Sequence, residues 1–342
     1  MLGPTGYTGR LVVEEARGEG LPLRLVGRSR DALEALAREG EEVRVADAAN
    51  EAALIEAFEG SFAVASLAGP FLPIGPRPVA AAIAVGAHYL DTTGEQAFAR
   101  LVYEGFGDSA AERGLVLLTA FGFDYVPGDL AAALAAEGAT APLDELVVGY
   151  AISHVATSAG TRRTIGHVMG QAQVAWENGA IVPSRFGATT RTMRFPFGEK
   201  NVVEWAGTEP LTVPRHVDVR RVRSYTRAPK AAAYAGLLSR LASPVVKLSG
   251  RIGAEGPSPA KRAEARWTVV AEARTGARGR RATLVGTDVY GFTARSIVQG
   301  ALALRDGEAR GAGALAPAEA FDARSFAARL APFLRIEAVE DL

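Results

Sequence analysis

Short apolar runs alternate with amphipathic stretches through the first third of the chain. The apolar runs that predict strands are 21–26, 43–46, 62–67, 87–90 and 115–118. Helical spacing of apolar residues predicts helices at 31–38, 51–58 and 78–85, with a longer one before 115. Regular alternation of helices with uncharged strands is typical of parallel sheets that are covered on both faces. The pattern therefore predicts an α/β fold with a Rossmann-type doubly wound parallel sheet.

A glycine-rich loop opens the chain and leads into the first helical stretch. Gly3, Gly6 and Gly9 are spaced three apart, with Thr5, Tyr7 and Thr8 between them. Glycine allows a tight turn and close approach to a pyrophosphate, and the helix start that follows favours negative charge. Such a triplet also occurs in a turn before a surface helix. Because a strand follows the helix in βαβ order, we interpret the triplet as a dinucleotide-binding loop, with the two threonine hydroxyls as phosphate ligands.

The strand that should precede this loop is short. In this fold the loop follows a central parallel strand of five or six apolar residues, but only Met1 and Leu2 precede Gly3. A missing central strand would leave unpaired ladder edges on both neighbours. We therefore expect that the first strand is truncated and that the native start lies upstream.

The ends of the later strands supply the other predicted cofactor ligands. Arg28 and Ser29 follow the strand at 21–26, about 20 residues after the loop, where an acidic residue would select NAD. A guanidinium there suits the 2′-phosphate of NADP, so NADP is expected rather than NAD, although a solvated arginine at a strand end would look the same. Because ligands bind at the carboxyl ends of parallel strands, the remaining predicted contacts are Asp47, Gly69, Pro70 and Phe71.

The alternation stops near residue 143, which indicates a second domain. Strands are predicted at 146–152, 191–195, 202–205 and 217–222, and helices at 161–177 and 292–304. Residues 263–274 and 281–290 form a predicted antiparallel pair. This mixture indicates an inserted α+β domain. The predicted boundaries are 1–127 plus 291–342 for the NADP-binding domain and 128–290 for the substrate or oligomerisation domain.

Composition excludes several classes of function. Lys+Arg 38 and Asp+Glu 38 give no net charge, which argues against a nucleic-acid partner. With Cys 0 the chain has no disulfide, thiolate nucleophile or iron–sulfur site, and no two of its His 4 have the spacing of helix-borne metal ligands, so no metal is expected. No signal peptide and no apolar run long enough to span a membrane is present, so a cytoplasmic protein is expected.

Five motifs, in order, resemble the saccharopine dehydrogenase-like oxidoreductases, especially the branch that contains the mycobacterial trans-acting enoyl reductases. They are GPTGYTGR at 3–10, VGRS at 26–29, AGPF at 68–71, HYLDTTGE at 88–95 and GFDYVPGD at 122–129. Motifs in the second half agree with this resemblance. It implies an NADP-dependent oxidoreductase with a Rossmann-type domain and a second domain inserted before the chain returns.

Candidate catalytic residues follow the last predicted strands. Reduction of a carbonyl, imine or activated alkene needs a proton donor besides the hydride. No tyrosine has the lysine four residues later that short-chain dehydrogenases use. The candidates are Asp91, Glu95, Asp124 and Tyr125, with Asp124 a general acid if burial raises its pKa. The alternative is that Asp91 and Asp124 simply cap turns or helix starts.

Other functions remain open at this level. A non-catalytic NADP-binding sensor, of the atypical short-chain dehydrogenase type, would explain the missing tyrosine–lysine pair. The stretch 231–252 is apolar with three basic residues, which predicts peripheral contact with lipid or a place for an acyl tail, or else a helix packed on the protein or at a homodimer contact. The expected substrate is an unidentified small-molecule or acyl compound.

Overall fold

The computed structural model describes residues 1–153, 158, 172–228 and 256–342. These residues form two compact units. The first unit contains 1–123 and 290–315, and the second contains 124–289 and 316–342. The predicted helix at 161–177 falls largely outside the described residues, as does the apolar stretch 231–252.

The elements are numbered in chain order within the described residues. The strands are β1 (Arg24–Gly27), β2 (Glu42–Val45), β3 (Ala63–Ser66), β4 (His88–Asp91), β5 (Val116–Leu118), β6 (Glu145–Ser153), β7 (Gln173–Glu177), β8 (Ala180–Ser184), β9 (Thr190–Phe195), β10 (Gly198–Glu204), β11 (Arg221–Arg227), β12 (Arg266–Thr275), β13 (Arg278–Thr287), β14 (Gly313–Ala314) and β15 (Leu334–Asp341). The helices are α1 (Tyr7–Gly18), α2 (Arg30–Glu34), α3 (Glu51–Phe58), α4 (Phe71–Ile74), α5 (Pro76–Val85), α6 (Gln96–Gly105), α7 (Gly107–Ala111), α8 (Val126–Ala136), α9 (Glu209–Thr212), α10 (Pro259–Glu264), α11 (Val289–Arg305), α12 (Pro317–Ala320) and α13 (Ala323–Arg329).

The first unit is built on a parallel sheet, as the sequence predicts. Its strands run in the order β14–β5–β4–β3, and β1 pairs in parallel with β2. Strands β3, β4 and β5 lie in the core, where uncharged side chains such as Val64, Tyr89 and Leu117 pack under the helices, whereas β2 is largely exposed. The carboxyl ends of these strands share one edge, which is where the predicted cofactor contacts lie.

Leu2 occupies the position of the central strand. It bridges β1 at Val26 and β3 at Ser66, both in parallel. The Leu2 amide donates to the Ala65 carbonyl at 2.8 Å, and the Leu2 carbonyl accepts from Leu67 at 2.9 Å. Leu2 thus joins the two parts of the sheet by one bridge on each side, whereas a full strand would form a continuous ladder.

The second unit is a mostly antiparallel sheet covered by α8. The strand order is β15–β13–β12–β6–β11–β10–β9, and the β7–β8 hairpin attaches to β11. Only β6 and β11 pair in parallel along this path. Helix α8 packs against β6, β12 and β13. Nearly all its residues are buried, and its side chains are apolar around most of the helix circumference.

Two differences from the sequence-based expectation follow from strand pairing. The end of the predicted helix 161–177 is wrong, because Gln173–Glu177 is strand β7. Asn178 and Gly179 both have positive φ, which forms the tight turn from β7 into β8. The unit boundary also differs for residues 316–342, because β15 pairs with β13 and so places this segment in the second unit.

Within the described residues, no helix is both long enough and apolar enough to cross a membrane.

Candidate functional site

The glycine loop of the first unit leads directly into helix α1. Gly3 has φ +79, a conformation that other residues rarely adopt, and Gly6 is the N-cap residue directly before α1. The first turn contains no acidic residue, so the positive end of the helix dipole is not neutralised. A phosphate group therefore fits at the start of this helix, beside the hydroxyls of Thr5 and Thr8 and the backbone of Gly6, which has no side chain. The Tyr7 ring packs edge-on against the Tyr290 ring, with 5.1 Å between the ring centroids.

Gly9 allows the loop to pack on its own helix. A Cβ at this position would overlap the Gly3 carbonyl oxygen and lie 2.8 Å from a backbone carbon of Pro4. The loop backbone would have to move away from α1 to admit any side chain. The third glycine of the motif thus fixes the shape of the loop.

We expect Gly9→Ala to destabilise the first unit by about 1–3 kcal/mol and to weaken nicotinamide cofactor binding, because backbone clashes cannot be relieved by a rotamer change. Gly18→Ala is the matched control in the same helix, since nothing lies within 4 Å of its Cβ position. It should raise stability by about 0.5–1 kcal/mol. Urea unfolding and cofactor titration of the two variants check this, and equal behaviour would contradict it.

Arg28 lies just beyond β1 and is exposed. Within the part of the chain that the structure describes, its guanidinium has no hydrogen-bond or ion-pair partner, whereas nearby Arg30 pairs with Glu34 at 3.4 Å. Ser29 begins helix α2, since its hydroxyl accepts from the Ala32 amide at 3.3 Å. Arg28 is therefore available to an anionic ligand at the end of β1, and the Ser29 hydroxyl keeps its proton as a donor.

Asp47 lies beyond β2 at the same edge of the sheet and is exposed. One of its carboxylate oxygens accepts from the Ala49 amide at 2.9 Å, which forms a turn before α3. Its other oxygen is available to a ligand hydroxyl.

Glu95 holds the turn that carries Gly69, Pro70 and Phe71. Its two carboxylate oxygens accept from the amides of Phe71 at 2.7 Å and Leu72 at 3.0 Å. The side chain is buried, with 2% exposure. Both oxygens of Glu95 are therefore used to fix this turn, which assigns it a positioning role and leaves the proton-donor role to other residues.

Asp91 ties the ends of β4 and β5 together. Its carboxylate accepts from the Thr119 hydroxyl at 2.8 Å and from the amides of Thr93 at 2.8 Å and Ala120 at 2.9 Å. Burial raises the pKa of Asp91 to about 6, although these hydrogen bonds act in the opposite direction. The Thr93 hydroxyl in turn accepts from the Glu95 amide at 3.1 Å. Asp91, Thr93 and Glu95 thus form one hydrogen-bonded support beneath the carboxyl edge of the sheet.

The other two candidate catalytic residues begin the second unit. Asp124 follows Phe123, whose amide donates to the Thr293 hydroxyl at 3.1 Å. The Asp124 side chain reaches solvent, yet the protein atoms crowded around it raise its pKa to about 6. Tyr125 is buried, and its hydroxyl donates to the Ala206 carbonyl at 3.4 Å. Asp124 is therefore the candidate that can both hold a proton near neutral pH and meet a ligand.

Sequence reasoning missed a buried polar cluster in the second unit. Glu209 lies between the hydroxyls of Tyr150 and Ser224, each 2.5 Å from one of its oxygens. Close by, Asp129 pairs with His216 at 2.9 Å. The partners come from β6, α8, α9 and β11, so no spacing along the chain could reveal them.

The N-terminal part of the chain matches a known family of NAD(P)H-binding domains over residues 3–133. A saccharopine dehydrogenase-like oxidoreductase of Homo sapiens is 29% identical over 150 residues, which cover 38% of this chain and 35% of that protein. A trans-acting enoyl reductase of Mycobacterium ulcerans is 34% identical over 139 residues, which cover 38% of this chain and 33% of that protein. The match spans about a third of the length of these relatives.

The fold similarity extends over the whole chain. Apo histidine-tagged saccharopine dehydrogenase (L-Glu forming) from Saccharomyces cerevisiae is similar with a TM-score of 0.62, over 100% of this chain and 98% of that chain. At 14% identity this likeness concerns the fold alone. The predicted Rossmann-type fold and the predicted resemblance are thus confirmed. Over 38% of its length the chain is similar to saccharopine dehydrogenase-like oxidoreductases and trans-acting enoyl reductases, and residues 3–133 match a family of NAD(P)H-binding domains.

Proposed function

We propose that the protein is an NADPH-dependent reductase that acts on a carbonyl, imine or enoyl-type acyl compound. Its NAD(P)H-binding region and its relatives named as oxidoreductases and reductases support this class of reaction. The observation that carries the choice of cofactor is the exposed Arg28 at the end of β1, which has no partner among the described residues.

The physical basis is the charge at the end of β1. An acidic residue there binds the two ribose hydroxyls of NAD and repels a 2′-phosphate. Arg28 reverses that preference, because a guanidinium binds phosphate through two parallel hydrogen bonds. The free hydroxyl proton of Ser29 adds a donor at the same place.

The chain's own residues supply binding, orientation and a proton. NADPH, when bound, supplies the hydride. The loop at Gly3, Gly6 and Gly9 holds the pyrophosphate, and Glu95 keeps the turn at 69–71 in place. Asp124 serves as the proton donor, since it is the solvent-accessible carboxyl group whose pKa is raised toward neutrality.

We expect Arg28→Ala to weaken NADPH binding about 10- to 100-fold while NADH binding changes less than about twofold. Loss of hydrogen bonds to a charged group corresponds to about 1.5–3 kcal/mol, and each 1.4 kcal/mol is a factor of ten. Fluorescence titration of both cofactors measures the ratio.

Arg38→Ala is the control for this measurement. Arg38 is also exposed, but it pairs with Glu14 near the start of β2, away from the carboxyl edge of the sheet. It should leave both affinities unchanged. Equal affinities of the wild-type protein for NADPH and NADH would overturn the assignment of NADP.

Turnover is tested with a panel of ketones, imines and enoyl thioesters by following NADPH absorbance at 340 nm, the ordinary wavelength of the reduced nicotinamide. Oxidation with any panel member supports a reductase. Tight NADPH binding with no oxidation by the whole panel would favour a non-catalytic NADP sensor instead.

A further inference from the structure

The Glu209 carboxyl group is buried in the second unit without a cationic partner. Its side chain belongs to α9 and is 0% exposed. The hydroxyl of Tyr150 on β6 bonds one of its oxygens and that of Ser224 on β11 bonds the other, both at 2.5 Å. Among the described residues, no lysine, arginine or histidine forms a hydrogen bond or ion pair with it. Ionising a buried carboxyl group that lacks a cation is costly, so these contacts favour the neutral acid.

Two glycines allow the carboxyl group to lie directly against backbone on both sides. A Cβ at Gly128 of α8 would overlap one Glu209 oxygen and the Tyr150 hydroxyl. A Cβ at Gly207, in the loop before α9, would overlap the other oxygen and the Ser224 side chain. Neither glycine has a positive φ, so the close packing, rather than the backbone conformation, requires them. The charge state of Glu209 therefore acts directly on the contact between α9 and α8.

The charged side chains on the elements around α9 already have other partners. On α8, Asp129 is bonded to His216 at 2.9 Å. The arginines of β11 alternate with Ser224 and so lie on the opposite face of the sheet. The remaining pairs on the elements in contact with α9 are Arg215 with Glu319 and Glu177 with Arg221 and Arg223. None of these described cations therefore balances a charge on Glu209.

The folded protein binds a proton on Glu209 more tightly than the unfolded chain does. Burial is the largest effect and raises the pKa of Glu209 to about 7, while the hydrogen bonds from Ser224 and Tyr150 lower it and the like charge of Asp129 raises it further. Burial also raises the pKa of the Tyr150 hydroxyl far above its usual value, so the phenol stays neutral while Glu209 titrates. Because the folded value lies above the unfolded value of 4.5, the stability from the bound proton is complete below 4.5 and is lost as the pH rises through about 7.

We propose that Glu209 is a pH-sensitive switch of the second unit, in which the neutral acid holds α9 against α8 and ionisation loosens that contact. In the neutral form one oxygen accepts from Tyr150, and the other carries the proton and donates it to the Ser224 hydroxyl. Ionisation releases this proton to water and leaves a charge enclosed by two hydroxyls and two stretches of backbone. Local opening then hydrates the charge, which lowers its free energy. The switch needs no cofactor or substrate, so it does not depend on the proposed reductase function.

The first test locates the proton. Carbon-detected NMR of protein labelled at its glutamate carboxyl carbons, from pH 5 to pH 9, should show a Glu209 signal that titrates near pH 7. The signal is assigned by its loss in Glu209→Gln. A Glu209 signal that titrates below pH 5 would overturn the proposal, because the site would then hold a carboxylate throughout the physiological range.

The second test compares stability at two pH values. All tryptophans of the chain lie in the second unit, so their fluorescence during urea unfolding reports on this unit: Trp176, Trp205 and Trp267. In Glu209→Gln the amide stays neutral and can bond both hydroxyls, so this variant mimics the protonated acid. From pH 5 to pH 8 the unfolding constant of the wild-type protein, relative to that of the variant, should rise on the order of 30- to 100-fold. Other groups that titrate in this range, such as His216, are present in both proteins and cancel from the ratio.

The third test asks whether the contact loosens. Amide hydrogen exchange, corrected for the intrinsic effect of pH, should show that α8 and α9 of the wild-type protein lose protection between pH 6 and pH 8. In Glu209→Gln both helices should keep their protection over this range. Unchanged protection in the wild-type protein would refute the switch even if Glu209 titrates near pH 7, because the ionised group would then be held in the same packing.

Glu272→Gln is the matched control. Glu272 is also a buried acid of the second unit, at 4% exposure, but it accepts from Arg281 at 2.8 Å and from Arg274 at 3.2 Å. Burial opposes its ionisation, but these two cations outweigh that effect and hold the pKa of Glu272 below its usual value. This variant should therefore be less stable than the wild-type protein by the same factor at pH 5 and at pH 8. A ratio for Glu209→Gln that is equally constant with pH would show that Glu209 is not the switch.

Discussion

Replacing Asp129 by alanine is expected to lower the free energy of unfolding of the second unit by about 3–5 kcal/mol. The Asp129 side chain is 1% exposed and bonds His216 at 2.9 Å and the Ala318 amide at 2.8 Å. Alanine would leave a buried imidazole and a buried amide without their acceptor. The Asp129–His216 pair also joins α8 to the segment after α9, so its loss affects packing as well as charge. Urea unfolding monitored by circular dichroism measures the effect.

The stability from this pair should depend on pH. Burial opposes ionisation of both partners, but their mutual attraction lowers the pKa of Asp129 and raises that of His216. The aspartate part is present above its unfolded value of 3.8 and is lost as the pH falls through the lower folded value. The histidine part is present below its unfolded value of 6.5 and is lost as the pH rises through the higher folded value. The Asp129→Ala loss should therefore be largest between about pH 4 and 6.5 and smaller at pH 8–9.

Two further variants serve as controls for this measurement. Asp129→Asn keeps the shape and can still bond both partners, so it should cost less than alanine and should remove most of the pH dependence. Arg324→Ala breaks an exposed pair with Glu137 in the same unit and should cost less than about 1 kcal/mol. A loss for Asp129→Ala as small as that for Arg324→Ala would show that the buried pair does not stabilise the fold.

The fold of the first unit was predictable because its signals are local. Short, mainly apolar runs define strands β1 to β5 to within about three residues, and the glycine spacing marks the start of α1. The position of Arg28 after β1 follows from the same pattern. Each of these features depends on residues that are neighbours along the chain, and so composition and periodicity suffice to find them.

The support of the site was not predictable because its hydrogen bonds join distant segments. Glu95 lies after β4, yet it fixes the amide of Phe71 after β3. A sequence shows an acidic residue after a strand, but it does not show that both carboxylate oxygens already have partners. Glu209 is a stronger example, since a glutamate followed by proline reads as the start of an exposed helix, whereas the fold encloses it between β6 and β11.

Other errors in the second unit have recognisable causes. The Asn178–Gly179 pair is a strong turn signal between short strands, and weighing it would have corrected the helix predicted up to residue 177. The segment at 334–341 alternates between apolar and charged side chains, as an edge strand does, but its partner β13 could not be identified from spacing. The assignment of the C-terminal segment to a unit therefore required the strand pairing itself.

Asp124→Asn is expected to lower turnover by about 10²–10⁴-fold with little change in NADPH affinity, because the amide cannot donate a proton to the product as an acid does. Crowding by protein atoms raises the pKa of Asp124 to about 6. Wild-type turnover should therefore fall as the pH rises through about 6, where the acid form is lost, whereas the residual rate of the variant should show no such limb. Stopped-flow absorbance at 340 nm with the best panel substrate measures both.

Asp218→Asn tests whether the effect is specific to this carboxyl group. Asp218 is an exposed aspartate of the same unit that lies beside β11 rather than at the start of α8, and its replacement should leave the rate and the pH profile unchanged. If Asp124→Asn keeps wild-type turnover, Asp124 is a turn residue and the proton comes from another donor. If turnover falls but the limb near pH 6 remains in the variant, Asp124 orients the substrate and the titrating group lies elsewhere. Only the joint loss of rate and limb assigns Asp124 as the acid, because a residue that merely stabilises the start of α8 would change the rate without changing the pH at which it falls.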